Sequence, residues 1–277
     1  MRIANLDGRL VLITDGGAVD VERASGGSFG ADPQAVFDRW AEFTAWARDL
    51  QGAEARPYEI TGLRSPVPLP RQIFAIGLNY REHAIESGFE IPEHPVVFTK
   101  FASAITGPTG RIALPEGKVD WEVELVAVVG ERAYQVDEAD GWNHIAGLTV
   151  GQDISDRHQQ FIAPPAQFSL GKSYPGFAPM GPVLVTPDEF ADRDDIELGC
   201  SINGESVQKA RTNDLIFSIP TIVARLSAVL PLLPGDVIFT GTPSGVGQSR
   251  TPARFLQPGD ELVTYVNGIG EMRHTFE

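Results

Sequence analysis

Val119-Asp-Trp-Glu122-Val-Glu124-Leu-Val-Ala-Val-Val129 is the stretch on which the reading of the fold turns. Side chains alternate along an extended strand, so Glu122 and Glu124 share one face, while Trp121, Val123 and Leu125 take the other and enter a core. Residues 125–129 are apolar without a break, the pattern of a strand covered on both sides. Two carboxylates side by side on such a strand repel each other by roughly 4 kcal/mol at ~4 Å and an effective dielectric near 20. Solvent, protons, basic side chains or a divalent cation must offset that repulsion, and which of them does so decides the chemistry.

Outward from this strand the chain is strand-rich. Segments 73–78, 95–100, 147–153, 181–186, 197–203, 236–240 and 261–267 read as further strands, with Asn203-Gly204 as a hairpin turn. One clear helix is expected near 220–230. The abundance of turn formers, 29 glycines and 21 prolines, favours a mixed α/β, β-dominated fold with long connections. Residues 1–68 differ in character and predict a small N-terminal α+β domain ahead of a larger domain at 69–277. In that first part, residues 2–6 and 9–14 alternate around Asp7-Gly8 as a hairpin. Asp32-Pro33 starts a helix whose apolar residues run from Val36 to Leu50. Ser65-Pro-Val-Pro-Leu-Pro70 is an extended linker.

The 277 residues carry a net charge of −15. That balance disfavours nucleic acid and anionic membranes as partners, and any anion site needs local positive charge. A single cysteine, Cys200, excludes an internal disulfide and predicts a reducing, cytoplasmic setting. No apolar run approaches the ~18–20 residues of a membrane span.

Four groups could carry chemistry. Glu122 and Glu124 are the first. Asp153, leaving the apolar strand that contains residues 146–150, is the second. If these three carboxylates meet, the all-oxygen set suits Mg²⁺, Mn²⁺ or Ca²⁺ rather than Zn²⁺. The third is His83 with Glu86, neighbours on a helix at a spacing of three; a carboxylate beside an imidazole sets its tautomer and raises its basicity. The fourth is Lys172 in Gly171-Lys-Ser-Tyr-Pro, a plausible anion contact. The run Thr240-Gly-Thr242-Pro-Ser-Gly-Val-Gly247 lacks the endings of a P-loop or a Rossmann turn, so no nucleotide or other organic cofactor is expected. Its backbone N–H groups and the Thr242 hydroxyl are better suited to a carboxylate.

These groups, in this order, resemble the fumarylacetoacetate hydrolase family. The matching motifs are Gly77-Leu-Asn-Tyr80-x-x-His83-Ala-x-Glu86, Val119-Asp-Trp-Glu122-Val-Glu124-Leu and Gln152-Asp153-Ile-Ser-x-Arg157. They continue with Gly171-Lys172-Ser, Gly181-Pro182, Asn203-Gly204-Glu205, Gln208 and Phe239-Thr-Gly-Thr242-Pro-Ser-Gly-Val-Gly247. The resemblance spans residues 71–267. It implies a β-roll catalytic domain, a homodimer, and one Mg²⁺ or Mn²⁺ per chain held by Glu122, Glu124 and Asp153. It also implies a lid near residues 83–93, with Gly88 as its bend. Gln152 stands where the family usually has Asn, and His158 where it usually has Asp. Gln152 is expected to lengthen a supporting hydrogen bond and tilt Asp153. His158 either brings positive charge to the substrate or faces solvent.

The family works on 2-oxo acids and 1,3-diketones. The resemblance therefore implies hydrolysis of a C–C bond in an acylpyruvate, with His83 as base, Glu86 orienting it and Lys172 stabilising the oxyanion or enolate. Tyr80, Arg157, Gln160, Tyr174 and Thr242 are the candidates for orienting the substrate. Decarboxylation, isomerisation or dehydration of a 2-oxo acid at the same site are the alternatives, with a catalytically inert binding protein a more distant one.

Overall fold

A computed structural model describes residues 1–88 and 90–277. The fold is mixed α/β and strand-dominated, as expected. The strand at its centre, Val123–Val129, is buried at every position. Val123, Leu125, Ala127 and Val129 enter one core, and Val126 and Val128 enter a second on the opposite side. The alternation therefore places Glu124 on the side of Val126 and Val128. Burial of the five large apolar residues contributes about 1.5–3 kcal/mol each. That burial anchors the strand in the interior, and the carboxylates it carries there need partners of their own.

This strand lies inside an eleven-stranded sheet. The order across the sheet is Gly17–Asp20, Arg9–Thr14, Arg2–Leu6, Ala178–Val185, Ile145–Gln152, Val123–Val129, Val237–Phe239, Ile73–Gly77 and Val96–Thr99. The short strands Leu63–Arg64 and Ile105–Thr106 join off this path. Pairing along the path is antiparallel except between Val237–Phe239 and Ile73–Gly77. A second sheet of five strands packs its apolar face, Leu198, Cys200, Ile202, Leu262 and Met272, into the first core. Cys200 is a buried filler there.

Residues 1–68, expected as a small domain, add strands to the same sheet: Arg2 and Ile3 pair with Val185 and Leu184. The Asp7-Gly8 turn has φ values of 47° and 84°, the left-handed pair that a two-residue hairpin requires. The Asp32 carboxylate accepts from the Gln34 N–H, and helix Trp40–Asp49 follows a 3₁₀ turn. Phe37, Phe43 and Trp46 then cover Val126 and Val128 from the second core. The N-terminal segment is thus a layer over the far face of the central sheet.

The helix expected near 220–230 is Ile219–Ser227, with the Ser218 hydroxyl accepting from Thr221 N. Strands Gly17–Asp20, Thr109–Ile112, Glu205–Arg211 and Gly270–Phe276 were not anticipated. Their alternation is broken by glycines and charged residues, and all but the Gly270–Phe276 strand lie at a sheet edge. The expected lid, residues 83–93, includes Phe89, which lies outside the described residues. No helix among the described residues is long and apolar enough to cross a membrane.

His274, on strand Gly270–Phe276, is 1% exposed. Its Nε2 donates to the Gly107 carbonyl at 3.0 Å, and Nδ1 has no partner. Burial lowers its pKa from 6.5 to about 4, against the pull of that hydrogen bond. The unfolded chain takes up a proton below 6.5 and the folded chain resists it until about 4. Stability is therefore present above this window and falls as the pH drops through it, by about 3 kcal/mol. Urea denaturation from pH 7 to pH 4 is expected to show a flatter decline for His274→Gln than for wild type. Parallel profiles would rule out this histidine as the cause.

Candidate metal centre

Glu122, Glu124 and Asp153 come together through the sheet. Val123 pairs with Gln152 and Glu124 with Gly151, so the residue after Gln152 meets Glu122 across the ladder. The Asp153 N–H donates to the Glu122 carbonyl at 2.9 Å. One oxygen from each carboxylate lies within 4.8 Å of the other two, and all three residues are buried. The repulsion anticipated for Glu122 and Glu124 thus becomes a three-body problem among buried carboxylates.

Basic side chains offset most of it. Lys172 Nζ donates to Glu122 Oε2 at 2.8 Å and to Asp153 Oδ2 at 2.5 Å. Arg157 Nη2 reaches Glu122 Oε1 at 2.6 Å and Asp120 Oδ2 at 2.8 Å. Lys100, wholly buried, binds Asp153 Oδ1 and donates to the Lys172 carbonyl at 2.5 Å. Burial alone would raise the Glu122 pKa, yet Lys172, Arg157 and His83 bring it below the ordinary carboxylate range. Burial lowers Lys100 despite Asp153, whereas Asp153 and Glu122 outweigh burial at Lys172 and raise it. Lys172 thus donates to two of the three carboxylates at once.

Glu124 differs. Among the described residues no cation touches it, and its Oε2 accepts only from Gly241 N, at 2.7 Å. Burial, then Asp153 and Glu122, raise its pKa well above the usual value. Counting Asp120, four carboxylates face three cations, a net charge of −1 when all are ionised. A hard divalent cation would relieve the excess at Glu124, and the all-oxygen donors suit Mg²⁺ or Mn²⁺. Lys172 occupies one lone pair on Glu122 Oε2 and one on Asp153 Oδ2. A carboxylate oxygen has two, so the ammonium and an ion can share these groups.

The histidine is placed by Asn79. Its side chain donates to the carbonyls of Thr240 and Phe217 and accepts from Phe217 N, pinning the exit of strand Ile73–Gly77 to two distant segments. Helix Arg81–Glu86 starts directly after it. His83 Nδ1 lies 2.8 Å from Glu86 Oε1. A carboxylate only accepts, so Nδ1 donates to Glu86 and Nε2 is the ring nitrogen left for proton transfer. Glu86 also accepts from Gly245 N at 3.0 and 3.1 Å.

The glycine-rich loop turns its N–H groups onto carboxylates, as expected, but these are the protein's own. Gly241 N serves Glu124, Gly245 N serves Glu86, and Gly247 N serves Asp120 at 2.7 Å. Gly241 and Gly245 have φ of +106° and +102°, and a Cβ there would meet Asn79 Cβ at 2.7 Å and Val207 O at 2.3 Å. Only glycine fits both constraints.

A cavity of about 630 Å³ opens over this cluster. His83, Glu86, Glu122, Arg157, Gln160, Lys172 and Thr242 line it. Gln160 accepts from Arg157 Nη1 at 3.2 Å, and Thr242 Oγ1 accepts from Gln208 Nε2 at 2.9 Å. Two residues expected at the substrate lie elsewhere. Tyr80 is wholly buried behind the cavity, its hydroxyl unpartnered and its pKa raised by burial and then by Glu124. The Tyr174 hydroxyl donates to Asp156 at 3.4 Å and its ring packs on Phe177. Gln152 does not reach Asp153: it accepts from Glu122 N at 2.8 Å and donates to Thr264 at 3.0 Å. His158 is exposed, donates its backbone N–H to the Asp156 carboxylate that caps its short helix, and does not line the cavity.

The sequence reading missed Lys100 and Asp120. Lys100 closes the apolar run Pro95-Val-Val-Phe-Thr-Lys100, where a lysine usually marks a solvated strand end. Asp120 sits two residues before Glu122 inside a quoted motif, and its bonds to Arg157 and the loop are not local.

The sequence model of the fumarylacetoacetate (FAA) hydrolase C-terminal domain matches residues 72–277. The chain belongs to the fumarylacetoacetate hydrolase family. It is 41% identical over 214 residues to oxaloacetate tautomerase FAHD2A, mitochondrial, from Bos taurus, covering 76% of this chain and 68% of the relative. Among solved structures it resembles a Mycobacterium smegmatis protein described as HpcE, with a TM-score of 0.95, 55% identity and coverage of 100% and 99%. It also resembles maleylpyruvate hydrolase from Sphingobium sp. SYK-6 in complex with manganese(II) ion and pyruvate, with a TM-score of 0.81, 29% identity and coverage of 100% and 98%.

Removing the Lys100 cation leaves Asp153 with an unpaired, buried oxygen, at a cost of about 3–5 kcal/mol. Lys100→Met is expected to lose that much unfolding free energy in urea without metal, and to recover part of it when Mn²⁺ is added. A variant as stable as wild type would show that the pair contributes nothing.

Proposed function

We propose that this chain is a divalent-metal-dependent enzyme that hydrolyses a C–C bond in an acylpyruvate or related 2,4-dioxo acid. The observation that carries the reading is the His83–Glu86 pair in the same cavity as the carboxylate cluster. The manganese–pyruvate complex of a structural relative supports a pyruvyl head at a metal site. Mg²⁺ or Mn²⁺ at Glu122, Glu124 and Asp153 would supply Lewis-acid chemistry to the adjacent oxygens of a 2-oxo carboxylate.

The protein's own groups do the rest. His83 Nε2 takes a proton from the water that attacks the distal carbonyl, while Glu86 and Gly245 N hold the ring in place. The C3–C4 bond breaks with its electron pair left on C3 as the enolate of pyruvate. Lys172, kept protonated by its acidic neighbours, donates towards the developing negative charge. The His83 imidazolium then returns its proton to C3, which completes an acid and pyruvate. Arg157, Gln160 and Thr242 orient the substrate. The working unit is taken to be a cytoplasmic homodimer.

A second reading, keto–enol tautomerisation of oxaloacetate, is favoured by the 41% identical mitochondrial relatives. There the same histidine moves a proton between C3 and the enol oxygen, and no water adds. Assay of acylpyruvates and enol-oxaloacetate with Mg²⁺ or Mn²⁺ separates the two. Pyruvate release from an acylpyruvate supports the first reading, and faster enol decay without bond cleavage supports the second.

His83→Ala is expected to leave Mn²⁺ affinity unchanged and lower kcat by about 10²–10⁴; full turnover would exclude His83 as the base. Glu124→Gln is expected to abolish Mn²⁺ binding in calorimetry, and unchanged affinity would refute its role as a ligand.

A further inference from the structure

We propose that the cavity selects 2-oxo acids with an apolar aryl or alkyl tail, and that Phe98, Phe168 and Phe161 set this preference. The inference rests on the reading of the carboxylate cluster as the seat of a 2-oxo acid head. Lys172 Nζ lies 5.1 Å from the centre of the Phe98 ring, so the aromatic wall begins where the charged cluster ends. Phe98 meets Phe168 edge to face at 5.6 Å, and Phe168 meets Phe161 at 6.3 Å. Phe161 is 52% exposed at the outer end of this row. Three rings thus lead from the buried head site to solvent.

The strand geometry explains the wall. Val96 and Phe98 alternate with Val97 and Thr99 on strand Val96–Thr99, so both face the cavity. Leu78 and Val246 line it as well. Aromatic rings left half-exposed beside a cavity mark a surface meant for apolar contact.

Charge disfavours a tail that ends in a second carboxylate. The cationic side chains among the described lining residues are Arg157 and Lys172, and both are taken up by Asp120, Glu122 and Asp153. His83 is taken up by Glu86. A second carboxylate on the tail would meet phenyl rings and neutral groups such as Gln248 and Ser249, but no unpaired cation among the described lining residues, and so would regain little of the hydration it loses. The net charge of −15 gives a dianion no help in approaching.

Calorimetry on the Mn²⁺-loaded protein tests this with pyruvate, 2-oxo-4-phenylbutanoate and 2-oxoglutarate. The phenyl compound is expected to bind about tenfold tighter than pyruvate, and 2-oxoglutarate no tighter than pyruvate. Equal affinity for all three, or tightest binding of 2-oxoglutarate, would overturn the tail preference and leave the head site standing. Binding of none would overturn the head-site reading itself. Phe161→Arg changes an exposed residue and is expected to reverse the order, weakening the phenyl compound and tightening 2-oxoglutarate about tenfold. Unchanged affinities in that variant would remove Phe161 from the selecting row.

Discussion

A continuous run of buried ion pairs organises this molecule. It starts at Lys100, passes through Asp153, Lys172, Glu122 and Arg157, and ends at Asp120. Most members have little contact with water, so each charge depends on its neighbours for stability. Loss of any one would strand another in a medium that cannot solvate it. The run therefore fixes where four separate stretches of chain must sit, at residues 100, 120–122, 153–157 and 172, and the sheet supplies the apolar burial that makes the arrangement affordable. Glu124 stands just outside it, with a backbone N–H but no cation. The remaining demand for positive charge is concentrated there.

The glycine-rich loop and the acid cluster are one construction. Loops of this kind invite a reading as a cradle for an incoming anion. Here Gly241, Gly245 and Gly247 turn their N–H groups on Glu124, Glu86 and Asp120. The loop thereby sets the orientation of a candidate ligand, of the carboxylate behind the histidine and of the anchor for Arg157. Sites held in this way lose little order when substrate arrives, because the orienting bonds are already made.

Much of the fold was legible. The Asp7-Gly8 hairpin, the central buried strand and the His83–Glu86 helix follow from patterns a few residues long. The three acids were legible only as a set of matching motifs; their meeting depends on the register of Val123 with Gln152. Tyr80 and Tyr174 show the limit. Both sit in motifs that contain cavity residues, yet one points behind the cavity and the other towards Asp156. Gln152 likewise passes Asp153 by and holds Glu122 N and Thr264. The direction of a side chain relative to a cavity built from distant segments is not written in its immediate neighbours.

The amino-acid sequence by itself determined the elements: strand alternation, turn positions and the histidine–carboxylate spacing, all of which depend on fixed local periods. Tertiary structure alone decided which charges meet. Lys100 and Asp153 are 53 residues apart, Lys172 and Glu122 are 50 apart, and Glu124 and Gly241 are 117 apart. Coulombic strength depends on distance in space and on exclusion of water, and both arise only when the sheets close over the cluster.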